Sequence, residues 1–197
     1  AITGQMDEAE LKLRNMEIFS HGDSRIQGQI AATQAFVYNI LGNFPRTEAY
    51  GRKALSLLPP DAIEDRALAC YALGYIYWKR GLFTEARPLI VEAHNLGRQT
   101  GNLGIAATSL HCLSEINRYG GKLRRAAEQL QQAIEMAGTS PTAASSHLGW
   151  GAVLGEWNRL DEAVYHMQKA IEIGQIGNTP EFVARALILL AYLRLLQ

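Results

Sequence analysis

Surplus charge is missing from this 197-residue chain, in which 19 lysines and arginines face 19 aspartates and glutamates. A segment that grips DNA or RNA through phosphates carries a basic excess, so direct nucleic-acid binding is not expected. Long apolar runs are also missing. The longest, such as ALILLAYL at 186–193, fall far short of a membrane span, and no secretory leader pattern opens the chain. Cysteine is scarce: Cys70 and Cys112 lie far apart, with neither Cys-x-x-Cys nor metal-type spacing. Together with the lack of an Asn-x-Ser/Thr sequon, that fits a reduced, cytoplasmic setting in which both thiols are packing residues.

Catalytic motifs are missing too. None of the five histidines (His21, His94, His111, His147, His166) falls in an HExxH or other ligand-like spacing, and no GxSxG elbow occurs. The carboxylate pairs Asp7-Glu8 and Asp161-Glu162 read as helix N-terminal charges rather than acid–base machinery. His147 reads as a packing histidine, and the expectation is a non-enzymatic segment with no metal and no cofactor.

What is present is a repeat. Gly4, Gly42, Gly81, Gly121 and Asn158 are each followed by a large apolar residue two positions later (Met6, Phe44, Phe83, Leu123, Leu160). Five positions later comes a small residue (Ala9, Thr47, Ala86, Ala126, Ala163). A near-constant period implies stacked supersecondary units rather than one closed core. Asn tolerates the left-handed backbone better than most non-Gly residues, so Asn158 stands in for the glycine of a tight turn. Apolar residues at helical spacing run before and after each turn, as in DRALACYALGYIYWKR and FTEARPLIVEAHNLGRQ. Acidic residues (Glu85, Asp161, Glu162) gather in the first turn of the second helices, where they complement the helix dipole. Seven positions before the turn stand Ala35, Gly74, Ser114 and Gly151. Small residues there let two paired helices approach closely. Pro59-Pro60, Pro141 and Pro180 fall between repeats, as do the stretches RQTGNLG, GQIGNTPEF and AGTSPTAASS.

These features together resemble the tetratricopeptide repeat. Leu73, Gly74, Tyr77, Gly81, Phe83, Ala86 and Ala93 stand at the spacings of its consensus, and Pro59 sits where a consensus proline closes a unit. The units are longer than the usual 34 residues or so, and Thr47 and Gly51 replace an expected Ala and an aromatic. The longer variety is similar to the sensor region of the large MalT-like, LuxR-type, ATP-binding transcriptional regulators, above all in EWNRLDEAVYHMQKAIEIGQIGNTPEFVARALILLAYLRLLQ. The resemblance implies an all-α fold: a right-handed superhelix of tetratricopeptide-type helix pairs, about four repeats with half-repeats at both ends. It also implies one repeat domain over 1–197, excised from a longer polypeptide. The ATPase and helix-turn-helix domains of that family would lie elsewhere. Here no GxxxxGK[ST] phosphate loop occurs, since Gly121-Lys122 is followed by Leu123, so ATP and DNA enter only through those other domains.

In such superhelices the first helix of each pair lines the concave face. Counting back from the turns, the inward rows hold Phe36, Asn39, Tyr71, Tyr75, Trp78, His111, Glu115, Arg118, Tyr119, Glu156, Arg185 and Tyr192. Rings interleaved with charged and amide groups suit a small effector or a peptide. The resemblance implies a ligand sensor of a bacterial regulator, and a protein-docking scaffold is the other reading. The stretch FVARALILLAYLRLLQ is apolar on more than one face, so self-association through it is expected.

Overall fold

The computed structural model describes residues 22–196, and these are helical with no strand among them. The helices are α1 (Ser24–Ile40), α2 (Phe44–Leu57), α3 (Ile63–Lys79), α4 (Phe83–Gln99), α5 (Leu103–Tyr119), α6 (Leu123–Ala137), α7 (Ala143–Glu156), α8 (Leu160–Ile176) and α9 (Pro180–Leu196). The expected first turn at Gly4, with Met6, Ala9 and Asp7-Glu8, lies outside the described residues, as do His21 and Gln197.

The turn reading holds at each of the other four positions. Gly42, Gly81, Gly121 and Asn158 have φ of 70°, 76°, 71° and 58°. Each donates its N–H to the carbonyl three residues back, and the next N–H reaches the carbonyl four back from the turn residue. At Gly81 these bonds are Gly81 to Trp78 and Leu82 to Tyr77, both 2.9 Å; at Asn158 they are Asn158 to Gly155 at 3.0 Å and Arg159 to Leu154 at 2.9 Å. The left-handed residue therefore satisfies carbonyls that the helix end would leave bare.

One expectation needs correcting. RQTGNLG and GQIGNTPEF are for the most part helix rather than connection: α4 runs to Gln99, α5 starts at Leu103, α8 runs to Ile176 and α9 starts at Pro180. Gly101 (φ 73°) and Asn178 (φ 50°) make a second series of left-handed turns. The same reversal therefore joins α4 to α5 and α8 to α9, where residues expected between repeats extend the helices, while α2 leads to α3 through an extended Leu58. Ala143–Ser146 of AGTSPTAASS likewise belong to α7.

The described residues divide between Leu96 and Gly97 into two compact units. In the first, α1 packs on α2 and α3, and α2 packs on α3. Ala31, Ala32, Ala54 and Ala69 are fully buried between them. Gly51 stands where an aromatic was expected because a Cβ there would already lie 3.3 Å from the Leu73 Cβ. Thr47, also off-consensus, is fully buried and its hydroxyl donates to the Asn43 carbonyl at 3.0 Å. A Cβ on Gly74 would lie 2.7 Å from Ile90 Cδ1 and 3.1 Å from Leu89 Cβ, which is the close helix approach its position implied.

In the second unit α5 packs on α6 and α7, and α7 packs on α8 and α9. Its core holds Leu130, Leu148, Val153, Leu154 and Met167. A Cβ on Gly151 would lie 2.8 Å from Met167 Cε and 3.1 Å from the Ala163 carbonyl oxygen. Cys70 and Cys112 are buried and in no disulfide, and burial pushes the Cys70 thiol up to about 12. Among the described residues, no helix is long and apolar enough to cross a membrane. Nor does any group of three or more His, Cys, Asp or Glu side chains gather there as a metal site.

Candidate binding cleft

The first helices of three successive pairs in the second unit, α5, α7 and α9, enclose a cleft of about 300 Å³. From α5 come His111, Glu115, Arg118 and Tyr119; α7 gives Leu148, Gly149 and Ala152; α9 gives Arg185, Ile188 and Leu189. Gly149 is small because its neighbours are close: a Cβ would lie 2.7 Å from Leu130 Cδ2 and 3.3 Å from His111 Nδ1.

An ion network organises the polar side of the cleft. The Glu115 side chain is 2% exposed. Arg118 Nε and Nη2 donate to its two oxygens at 3.1 Å each, the fork geometry that guanidinium groups favour. Arg118 Nη1 donates to Glu156 Oε1 at 2.7 Å, and Arg185 Nη2 lies 3.9 Å from Glu115 Oε2. Burial alone would raise the Glu115 carboxyl. The Arg118 hydrogen bonds and the fields of His111, Arg118 and Arg185 more than reverse it and hold the group below the usual carboxylate range. Glu115 is therefore a fixed buried anion, and the Arg118 guanidinium is stacked over the Tyr119 ring, 4.6 Å from its centroid.

Five of the expected groove residues lie in the first unit, and four of them form a row of rings. Phe36 on α1 meets Tyr71 on α3 at 6.3 Å between ring centroids, Tyr71 meets Tyr75 at 5.8 Å, and Tyr75 meets Trp78 at 5.3 Å. Lys79 Nζ lies 5.5 and 5.4 Å from the Tyr75 and Trp78 ring centroids. Trp78 and Asn39 are buried, while Phe36, Tyr71 and Tyr75 are half-buried. In the second unit His111 is buried and Tyr119 exposed, and Tyr192, 58% exposed, does not line the cleft.

The inward rows named for their polar and aromatic residues left out the apolar wall. Leu148 and Ala152 stand ten and six positions before Asn158, the offsets at which His111 and Glu115 precede Gly121. The period therefore held the signal, and an emphasis on polar chemistry passed it over. A second omission is the contact between His147 on α7 and His166 on α8, whose Nδ1 atoms are 2.8 Å apart and whose rings are stacked. Burial, together with the Lys169 field, lowers the His147 pKa. Burial, reinforced by His147 and partly opposed by Glu162, takes His166 down to about 4.

Residues 28–197 match the MalT-like TPR region. The chain belongs to that family. The solved structures it is similar to include BtubC (BKLC) from P. vanneervenii, with 19% identity and a TM-score of 0.67 over 98% of this chain and 83% of that one. RapI in its apo form gives 18% and 0.64, over 95% of this chain and 53% of that one. YrrB, a TPR protein with an unusual peptide-binding site, gives 20% and 0.51, over 83% and 76%. At these identities the likeness shows the fold alone: this MalT-like TPR chain is a helical-repeat domain. No curated protein matches its sequence at a significant level.

Proposed function

We propose that the chain is the ligand- or partner-binding sensor segment of a cytoplasmic bacterial transcriptional regulator, non-catalytic itself and part of a longer polypeptide. The observation that carries this reading is the α5–α7–α9 cleft, in which a buried Glu115 and a three-bonded Arg118 stand opposite an apolar wall. A pre-formed concavity with a few fixed polar groups is the usual form of a small-molecule site. It is assembled from three helices that belong to different pairs, so an occupant changes the free energy of their relative placement, as a regulatory ligand must. ATP hydrolysis and DNA contact belong to domains outside this segment.

The other reading, a scaffold that docks a protein or peptide or a second copy of itself, draws on α9. Leu187, Ile188, Tyr192, Leu195 and Leu196 are all exposed there, and clustered exposed apolar groups mark interaction surfaces. A thermal-shift screen against sugars, nucleotides, amino acids and peptides separates the two. An effector at a hundredfold excess over its Kd adds about 2.7 kcal/mol. A hit lost in Ala152→Phe, which fills the cleft, assigns the effector to α5–α7–α9; a hit lost in Trp78→Ala assigns it to the aromatic row. Silence across the panel, with a dimer by light scattering at ~100 μM, favours the scaffold.

A further inference from the structure

The two guanidinium groups of the cleft are in different situations. Arg118 is committed, with Nε, Nη1 and Nη2 all donating to carboxylate oxygens at 2.7–3.1 Å. Arg185 lies 3.9 Å from Glu115 Oε2, beyond hydrogen-bond reach, and its guanidinium makes no hydrogen bond among the described residues. Its side chain is 34% exposed, and Ile188 and Leu189 from the next turn of α9, with Leu148 from α7, form the apolar side of the same cleft. Glu115 does not need Arg185 for neutralisation, because Arg118 already forks both of its oxygens.

We propose that Arg185 is the carboxylate-recognising group of the cleft and that the occupant is a small carboxylate with an apolar body. Its carboxylate takes the open fork of Arg185, and the body lies against Leu148, Ile188 and Leu189. The inference rests on the cleft reading above and names its ligand class. A guanidinium with unmade N–H bonds matches a carboxylate in two parallel hydrogen bonds, which a hydroxyl or amide cannot reproduce. The partly dry surroundings strengthen that pairing relative to open water. A cleft of about 300 Å³ stands at the small end of ligand pockets. It holds a ring or branched chain rather than an oligosaccharide or dinucleotide. A free acid, an amino acid and a peptide C-terminus share this chemistry.

The test is calorimetric titration of the whole chain with 3-phenylpropionate, its neutral amide, L-phenylalanine and glycyl-phenylalanine. The expected result is a carboxylate bound at least tenfold more tightly than the amide. Arg185→Gln removes that preference and leaves the weak amide binding intact. Arg185→Lys, with a point charge in place of a fork, recovers part of it. Which of the three carboxylates binds best identifies the source. Equal binding of acid and amide, or a preference untouched in Arg185→Gln, overturns the proposal. So does failure of all three carboxylates. The cleft reading survives each of these outcomes if the broad screen yields a ligand of another class that Ala152→Phe abolishes.

Discussion

Tyr75 and Glu115 occupy equivalent places, each six residues before a left-handed glycine, as Trp78 and Arg118 do three residues before it. In the first unit those places carry a run of rings with a lysine over its end. In the second they carry a buried carboxylate forked by an arginine. The turns and small packing residues are nearly interchangeable between the units; the inward-facing chemistry is not. A repeat scaffold thus fixes where side chains point and leaves their identity free, which is why function must be argued from the site and not from the fold.

The largest expected effect breaks the comparison at its centre. Glu115→Ala removes one partner from a buried ion network and leaves the Arg118 and Arg185 charges undercompensated, a loss of about 3–5 kcal/mol by urea denaturation. Tyr75→Ala, at the equivalent place, removes a half-buried ring and its tilted contacts with Tyr71 and Trp78, for about 1–2 kcal/mol. Equal losses would mean that the network contributes no more than ring packing does. Glu156→Ala, whose carboxylate is 40% exposed, should cost under about 1 kcal/mol.

The shared scaffold is tested next. Gly74→Ala and Gly151→Ala each recover about 1 kcal/mol of helix propensity. Each also forces a methyl into a space whose nearest neighbours lie 2.7–3.1 Å away. Overpacking costs more than the propensity returns, so both should lose about 1–2 kcal/mol by the same amount in the two units. A neutral result at one of them would show that its helix pair can open while the other cannot.

The scaffold was legible because its signals are backbone signals. Gly42, Gly81, Gly121 and Asn158 are required by φ, and Gly74 and Gly151 by van der Waals distance, so their spacing alone reveals them. Gly101 carries the same φ signal and the same offsets, with Leu103 two positions later and Ala106 five, but it falls outside the period of about 40; Asn178 also has a positive φ and is followed by Pro180 at the first offset. The cleft was half legible. Offsets from the turn indicate which residues face inward, but whether Arg185 meets Glu115 at 3.9 Å or at hydrogen-bond distance depends on the packing of α9 against α7. The His147–His166 contact joins two helices through side chains nineteen residues apart that belong to no motif.

That histidine pair gives the second unit a pH response with no counterpart described in the first. Its folded pKa values lie below the unfolded value, His166 at about 4. Between about pH 6.5 and 4 the unfolded chain therefore binds more protons, and stability rises with pH across that window. The stability is fully present above about 6.5 and lost as pH falls through 4. For a pair half open to water the loss is about 1–2 kcal/mol, below what the full shift would give. His166→Phe should flatten the melting temperature between pH 6.5 and 4, leaving only the carboxylate contributions; an unchanged slope would mean the pair does not titrate in that window.

The smallest effect sharpens the comparison at the turns themselves. Asn158 holds φ 58° where the equivalent residues of the other three pairs are glycine. The conformation costs an L-residue about 1–2 kcal/mol, and Asn recovers part of that through its short polar side chain. Glycine removes the steric term but loses more chain entropy on folding, so Asn158→Gly should gain no more than about 0.5 kcal/mol. Asn158→Ala pays the strain without the compensation and should lose about 1 kcal/mol. Both are read from urea midpoints at constant slope. The decisive quantity is the difference between the two variants. If alanine were as stable as glycine at this place, the left-handed turn would not be the element that fixes the angle between α7 and α8, and the repeat period would need another physical origin.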